Sequence, residues 1–488
     1  MPTKHPNIIF VMSDDHAAHA IGAYGSVINR TPHMDRLAAG GVRLTNCHCT
    51  NSICTPSRAT ILTGQYGHVT GVTEWQALDN RRPIQLQKLL KAAGYQTAIL
   101  GKWHLGAGTT RNVYQDNTGG DNAVPADPAG FDDWATLPGQ GDYHNPKFHT
   151  PHGMIQVNGY CSDIITDMSL DWLTNKRKPG QPFFLCVHHK APHRPWNPGE
   201  KYAHLYEDEE IPHPATFDDD YASRPAAREA KMRILGDLIY EDVKSDPPQG
   251  LDQPALKNWF YQRYIKDYLR CVASVDASVG RLLDYIDNEG LADNTIFIYT
   301  SDQGFFLGDH GWYDKRFIYE HSLRMPFLMR YPQEIKAGSV RDELLTNLDF
   351  APTLLDFAGV KAPDEMQGVS GRAMLRGEAP RDWQKIFYYR YWDHGGHNVC
   401  SHYGVRTDRY KLIYFYTPRP TPSRRATQPD IPPYWELFDL QNDPNELRNI
   451  YGDPAYADVQ RHLHAELDRL QAHYGDEPLH RLSPSSRG

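Results

Sequence analysis

The chain has 488 residues, which allows one large core and a smaller appended domain. Its hydrophobic (40%) and charged (23%) fractions are those of a globular chain, and no apolar run approaches the ~18 residues that a membrane span requires. A net charge of −9 gives nucleic acid no electrostatic footprint, so an anionic substrate would have to meet locally concentrated positive charge.

From Met1-Pro2-Thr3-Lys4 the chain passes almost at once into Asn7-Ile8-Ile9-Phe10-Val11-Met12, the continuous apolar pattern of a strand buried on both faces. No basic segment followed by an apolar stretch precedes it. The expectation is therefore a cytoplasmic protein, or a periplasmic or secreted one if a leader has been removed. Similar runs occupy residues 96–100, 182–187 and 294–299, each after a stretch with helical spacing at 86–93, 164–175 and 268–288. Buried strands alternating with helices predict an α/β fold, a large and mainly parallel sheet sandwiched by helices. Each run gives way at once to polar residues: Asp14-Asp15, Lys102 with His104, residues 188–193, and Asp302-Gln303. In such sheets ligands gather beyond the carboxyl ends of the strands, so four distant segments converge on one edge.

Residues 105–160 and 194–250 are rich in Gly, Asn, Asp and Pro, and read as long excursions that bear substrate contacts or cap the site. After about residue 375 the texture changes: 388–392, 404–406, 410–416 and 435–440 read as strands, and 456–474 as a closing helix. The expected division is a catalytic domain over 1–375 and a C-terminal α+β subdomain over 376–488, an antiparallel sheet with one helix, that completes the substrate pocket. Seven cysteines, an odd number spread over a large chain, do not form a disulfide framework. Most read as buried thiols; Cys54 is the exception.

Cys54-Thr55-Pro56-Ser57-Arg58, followed by Leu62-Thr63-Gly64, resembles the C-x-P-S-R signature of type I sulfatases, in the alkaline-phosphatase-like superfamily. The resemblance covers most of the chain, to about residue 447. It implies that a formylglycine-generating maturation enzyme converts Cys54 to formylglycine, whose hydrate is the nucleophile. A geminal diol carries two hydroxyls on one carbon. One attacks sulfur, and the other then collapses to the aldehyde and expels sulfate, which splits a hard step into two easier ones. Pro56 suits a first helical turn, which puts Cys54 near a helix N-terminus where developing negative charge is favoured. Arg58 is expected on the diol or on a metal-bound carboxylate. Without the modification, Cys54 is only a buried cysteine before a proline-started helix.

Asp14, Asp15, Asp302 and Gln303 offer oxygen ligands alone, the set a hard divalent cation takes and unlike the Cys/His mix of zinc sites. The resemblance implies that these four, with an oxygen on residue 54, bind Ca²⁺, with Mg²⁺ second. Family members carry Asn or His more often than Gln after this aspartate, which makes Gln303 the departure. Gly101-Lys102-Trp103-His104-Leu105-Gly106 resembles the G-K-W-H-x-G element: Lys102 to neutralise sulfate, His104 to take the diol proton. Within residues 188–196, His193 resembles the histidine of the P-H-x-P element, a sulfate contact or general acid; Lys190 and Arg194 divide evenly between substrate contact and surface. Residues 301–311 match S-D-x-G-x-x-L-G-D-H-G, with Lys315 as the following lysine on sulfate and the leaving oxygen, and with Asp309 and His310 reaching toward substrate. The wording is nearest to carbohydrate sulfatases, in particular those acting on 6-O-sulfated N-acetylglucosamine, so the expected partner is a sulfated sugar and not nucleic acid or membrane. Two rival readings remain: a phosphonate monoester or phosphodiester hydrolase of the same superfamily, and a non-catalytic sulfated-glycan binder.

Overall fold

The four apolar runs become adjacent strands in the computed structural model, which describes residues 5–106, 127–418 and 431–481. Asn7–Ser13 lies between Thr295–Ser301 and Phe183–His188, and Gln96–Lys102 pairs with the far side of Phe183–His188, all parallel. Asp133–Leu137 adds a fifth parallel strand. The sheet then continues to ten strands through partners that turn antiparallel: Phe327–Arg330 on one margin, Lys147–Thr150 and Gly153–Gln156 on the other. The centre is thus the parallel sheet that the apolar runs predict, while the antiparallel margins have no comparable apolar signal.

Both faces of the central strands are buried, and alternation divides them cleanly. Ile8, Phe10 and Met12 share one core with Ile296, Ile298, Phe184 and Cys186; on the same side lie Ile61 and Leu62 of the helix Cys54–Thr63. Ile9 and Val11 face the opposite core with Phe297, Tyr299 and Leu185, against the long helix Gln253–Asn288. That helix begins well before residue 268, because the Asp252 carboxylate caps Ala255 N at 2.9 Å and proline sits in its first turn. Cys161–Asp171 likewise starts earlier than its apolar spacing suggests and ends in a wider π turn over Trp172–Lys176.

The C-terminal residues form a separate four-stranded antiparallel sheet in the order Ile386–Tyr391, Ser401–Thr407, Tyr410–Tyr416, Tyr434–Asp439, with the helix Ala457–Tyr474 packed through Leu463, Leu467 and Leu470. All seven cysteines are buried, and none is in a disulfide. No helix among the described residues is long and apolar enough to cross a membrane. Part of the predicted 105–160 excursion, residues 107–126, lies outside the described residues.

Candidate active site

Strand register brings the polar residues together. Ser13 pairs with Ser301 and Met12 with His188, so Asp14-Asp15, the segment after His188, and Asp302-Gln303 leave the sheet side by side. Gly101 pairs with His188, and a Cβ on residue 101 would stand 1.9 Å from the His188 carbonyl oxygen. Its φ of +104° is also glycine territory. Only glycine lets the Lys102 strand run this close.

Asp14, Asp15 and Asp302 each offer a carboxylate oxygen within 4.8 Å of the others, and Asp14, Cys54 and His193 form a second such group. All three carboxylates are fully buried. Each has its own cation: Lys102 Nζ donates to Asp14, Lys315 Nζ to Asp15, and Arg58 Nε to Asp302 Oδ2 at 2.9 Å. Arg58 Nη1 also donates to Lys102 O at 2.9 Å, and Ser57 Oγ to Asp302 O. These two bonds tie the helix Cys54–Thr63 to two strand ends. Cys54 opens that helix, and no side chain caps its N-terminus, so its first amides are available to negative charge at residue 54.

Crowding shifts the titrations. Burial pushes Asp302 up to about 7, helped by the Asp14 charge and opposed by Arg58. Burial raises Asp15 to about 6 despite Lys315. Burial acts on Asp14 too, but Lys102, then His193, Arg58 and Lys315, hold it well below the ordinary carboxylate range. Burial disfavours the Lys315 ammonium, yet Asp15 outweighs it and raises the group above the usual lysine value. Burial drives the Cys54 thiol up to about 12, so as a cysteine this side chain is a protonated, poor nucleophile at neutral pH.

The oxygens fit a hard divalent cation. Asp14 Oδ1 and Gln303 Oε1 are buried with no hydrogen-bond partner, while Gln303 Nε2 donates to Asp15 Oδ1. Buried oxygens left bare beside raised carboxylates are a site short of positive charge. The extra methylene of Gln303 does not take its amide away from the cluster.

His104, held at φ +56°, meets Thr55 Oγ1 through Nδ1 at 3.3 Å and leaves Nε2 buried without a partner. His193 Nδ1 is satisfied by Arg194 O at 2.6 Å, which leaves Nε2 as the atom facing Asp15 Oδ2, 3.8 Å away. Burial, then Lys102, holds His104 well below the usual histidine range; burial holds His193 low despite Asp14. Asp309 and His310 bond elsewhere. Asp309 lies between His19 and His321 at 3.3 and 3.2 Å, and His310 Nδ1 is 2.6 Å from Asp219, which also takes Arg224. The Gly308 hinge (φ +99°) precedes both, and on the 214–219 loop Thr216 Oγ1 accepts from His310 N at 2.8 Å. Arg194 is spent on Asp242, and His188 and His189 bond Lys102 O and Ser278.

Several polar partners escape sequence reasoning. Gln140 accepts from Lys102, and Tyr143 donates to His193 O at 2.6 Å. Asp314 and Arg316 flank Lys315 with φ of +84° and +94°, strained backbone that the C-terminal sheet region clamps. Arg316 Nη1 reaches Tyr391 and Asp393, both at 3.0 Å, and His397 stands 3.3 Å from Asp314. Their adjacency to Lys315 is the signal that could have found them. By contrast His402 and Arg406, on the same small sheet, bond Ile318 N and Glu320.

Residues 6–360 match the sulfatase family, and residues 308–473 match a family described as N-sulphoglucosamine sulphohydrolase, C-terminal. The chain is 40% identical to an N-acetylglucosamine-6-O-sulfatase of Bacteroides thetaiotaomicron, over 97% of this chain and 88% of that protein. A solved structure described as being in complex with its substrate D-glucosamine-2-N,6-O-disulfate superposes with a TM-score of 0.87 at 40% identity, covering 97% of this chain and 99% of that one. Phosphonate monoester hydrolase of Agrobacterium radiobacter shares the fold, with a TM-score of 0.74 at 22% identity and 96% of each chain covered. The chain belongs to the sulfatase family of sulfuric ester hydrolases.

Proposed function

We propose that the protein removes O-sulfate from a carbohydrate, 6-O-sulfated N-acetylglucosamine or a related sulfated polysaccharide fragment, using residue 54 as formylglycine. The observation that carries this reading is residue 54 at a helix N-terminus, within 4.8 Å of Asp14 and His193 in a cluster of three carboxylates and three cations. The 40% identical N-acetylglucosamine-6-O-sulfatase supports the choice of sugar and sulfate position.

Oxidation of Cys54 by a formylglycine-generating enzyme would supply two hydroxyls on one carbon in place of a thiol that does not ionise. Asp14, Asp15, Asp302 and Gln303, with an oxygen on residue 54, would hold Ca²⁺, or Mg²⁺ as second choice; when bound, the ion polarises the sulfate as a Lewis acid. Arg58 braces the metal-side carboxylate Asp302 and, through Lys102 O, the neighbouring strand end. Lys102 and Lys315, both buried, neutralise sulfate oxygens. Lys315 keeps its proton and serves the leaving oxygen as a fixed positive charge. The neutral His104 accepts a proton at Nε2 when sulfate is released. His193 Nε2 donates to a sulfate oxygen once protonated, its other nitrogen being locked on Arg194 O. The C-terminal subdomain completes the pocket through its clamp on Asp314 and Arg316.

Initial rates on a panel of defined sulfated sugars, with a phosphonate monoester and a phosphodiester beside them, test the reading. The 6-O-sulfated N-acetylglucosamine is expected to turn over fastest. A preference for either phosphorus ester contradicts it.

A further inference from the structure

Lys102, Lys315 and Arg58 each face one carboxylate of the cluster. Lys190 is a fourth cation with no such partner. The residue is 3% exposed, as little as Lys315, yet Nζ makes no hydrogen bond or ion pair among the described residues; its ring contact is Tyr143, 4.8 Å from the centroid, and the Asp14 and Asp142 carboxylates act on it only at longer range. A cation–π contact returns only part of what an ammonium loses on leaving water, and buried charges are ordinarily paired. Burial, reinforced by the Lys102 charge, lowers this lysine to about 8, which leaves it mostly charged near neutral pH.

The location says what the missing partner is. His193 N donates to Lys190 O at 3.0 Å, so the two side chains leave opposite ends of one tight turn. Tyr143, beneath the ammonium, is pinned to the same turn through His193 O, and Gln140 of the same loop accepts from Lys102. Lys190 therefore stands on the wall beside Lys102, next to the sulfate cradle and outside its ion pairs.

We propose that Lys190 is a specificity residue that receives a second anionic substituent of the substrate sugar, a sulfate, sulfamate or carboxylate on the residue that carries the scissile sulfate. This rests on the sugar-sulfatase reading above. A surface lysine or a purely structural cation would show no preference between sugars of different charge.

The test compares kcat/KM of the full-length matured protein on N-acetylglucosamine 6-sulfate, with one anionic group, and on N-sulfoglucosamine 6-sulfate, with two. The ratio of the second to the first is expected to fall about tenfold in Lys190→Met, the scale of one hydrogen bond to a charged group, and to stay near wild type in Lys190→Arg. An equal loss on both sugars, or no change in the ratio, overturns the proposal. Should Lys190→Met not fold, a crystal structure of the inactive Cys54→Ala protein with N-sulfoglucosamine 6-sulfate decides: the 2-N-sulfate at hydrogen-bond distance from Nζ supports the assignment, and that group facing elsewhere overturns it. Wild-type protein inert on both sugars defeats the parent reading, whereas an active wild type with an unchanged variant ratio defeats only this one.

Discussion

Cys54 occupies a position where a carbon bearing two oxygens would meet a helix N-terminus, three buried carboxylates and three buried cations. A serine there supplies one hydroxyl and can be sulfated but not released. Cys54→Ser and Cys54→Ala are both expected to lower multiple-turnover rates by ~10³-fold or more with little change in melting temperature, a steady-state assay beside thermal unfolding being the check. The carboxylates give a second prediction. Asp302 and Asp15 are raised to about 7 and about 6, above their unfolded values, so without metal the native state holds protons that the unfolded chain has lost. Stability of the metal-free protein should therefore fall as pH rises between about 4 and 7, through that window. A bound divalent cation removes the repulsion, so Ca²⁺ is expected to raise the melting temperature more at pH 7.5 than at pH 5. An equal or reversed effect in a chelator-and-readdition series counts against the metal role. Much of this cluster was legible, because Cys54, Arg58, Lys102, His104, Asp14-Asp15 and Asp302-Gln303 stand in short contiguous segments at or just after strand ends. Gln140, Tyr143 and Lys190's isolation were not, since loop residues carry no periodicity and pairing is set by three-dimensional proximity. The partners of Asp309 and His310 were hidden for the same reason: their spacing after Asp302 is short, but His310 bonds Asp219 and Asp309 lies between His19 and His321.

At the scale of elements, strand ends place the chemistry, and their spacing is set by how closely backbones approach. Gly101→Ala puts a methyl carbon into the His188 carbonyl at a left-handed φ, forcing apart the two strands that deliver Lys102 and His193. A loss of about 3 kcal/mol or more in stability is expected, with a fall in kcat/KM that persists below the melting range; denaturant unfolding and kinetics together measure it. Ile298→Ala, a central-strand truncation far from the site in chemistry, should cost about 2–5 kcal/mol and leave the kinetics of the folded fraction near wild type. The four apolar runs announced the central strands because strands buried on both faces carry uninterrupted hydrophobic residues. The marginal strands, Gly153–Gln156 being exposed along its whole length, carry no such run and could not be read from pattern alone. The start of Gln253–Asn288 escaped for a related reason: its first turns are solvated, and only the Asp252 cap and Pro254 mark them.

Across the whole molecule, buried charge ties the small sheet to the helix Glu320–Leu323 that follows the Lys315 segment. Lys411 of the small sheet bonds Glu446 and lies 2.9 Å from Glu320, which also pairs with Arg406 and donates its amide to Glu446 at 2.7 Å. Lys411→Met strands Glu446 in the interior and is expected to destabilise the protein by about 3–5 kcal/mol, read from denaturant unfolding. Because Arg316 and Asp314 beside Lys315 are clamped from the same small-sheet region, the variant should also lose activity before it unfolds globally. The chemistry at residue 54 is tested most directly by the mass of the peptide containing that residue, taken from protein that is turning over a sulfate ester. A peptide about 18 Da lighter than the cysteine form is expected, in proportion to activity across preparations. Full activity from protein whose residue 54 is still an unmodified thiol would contradict it.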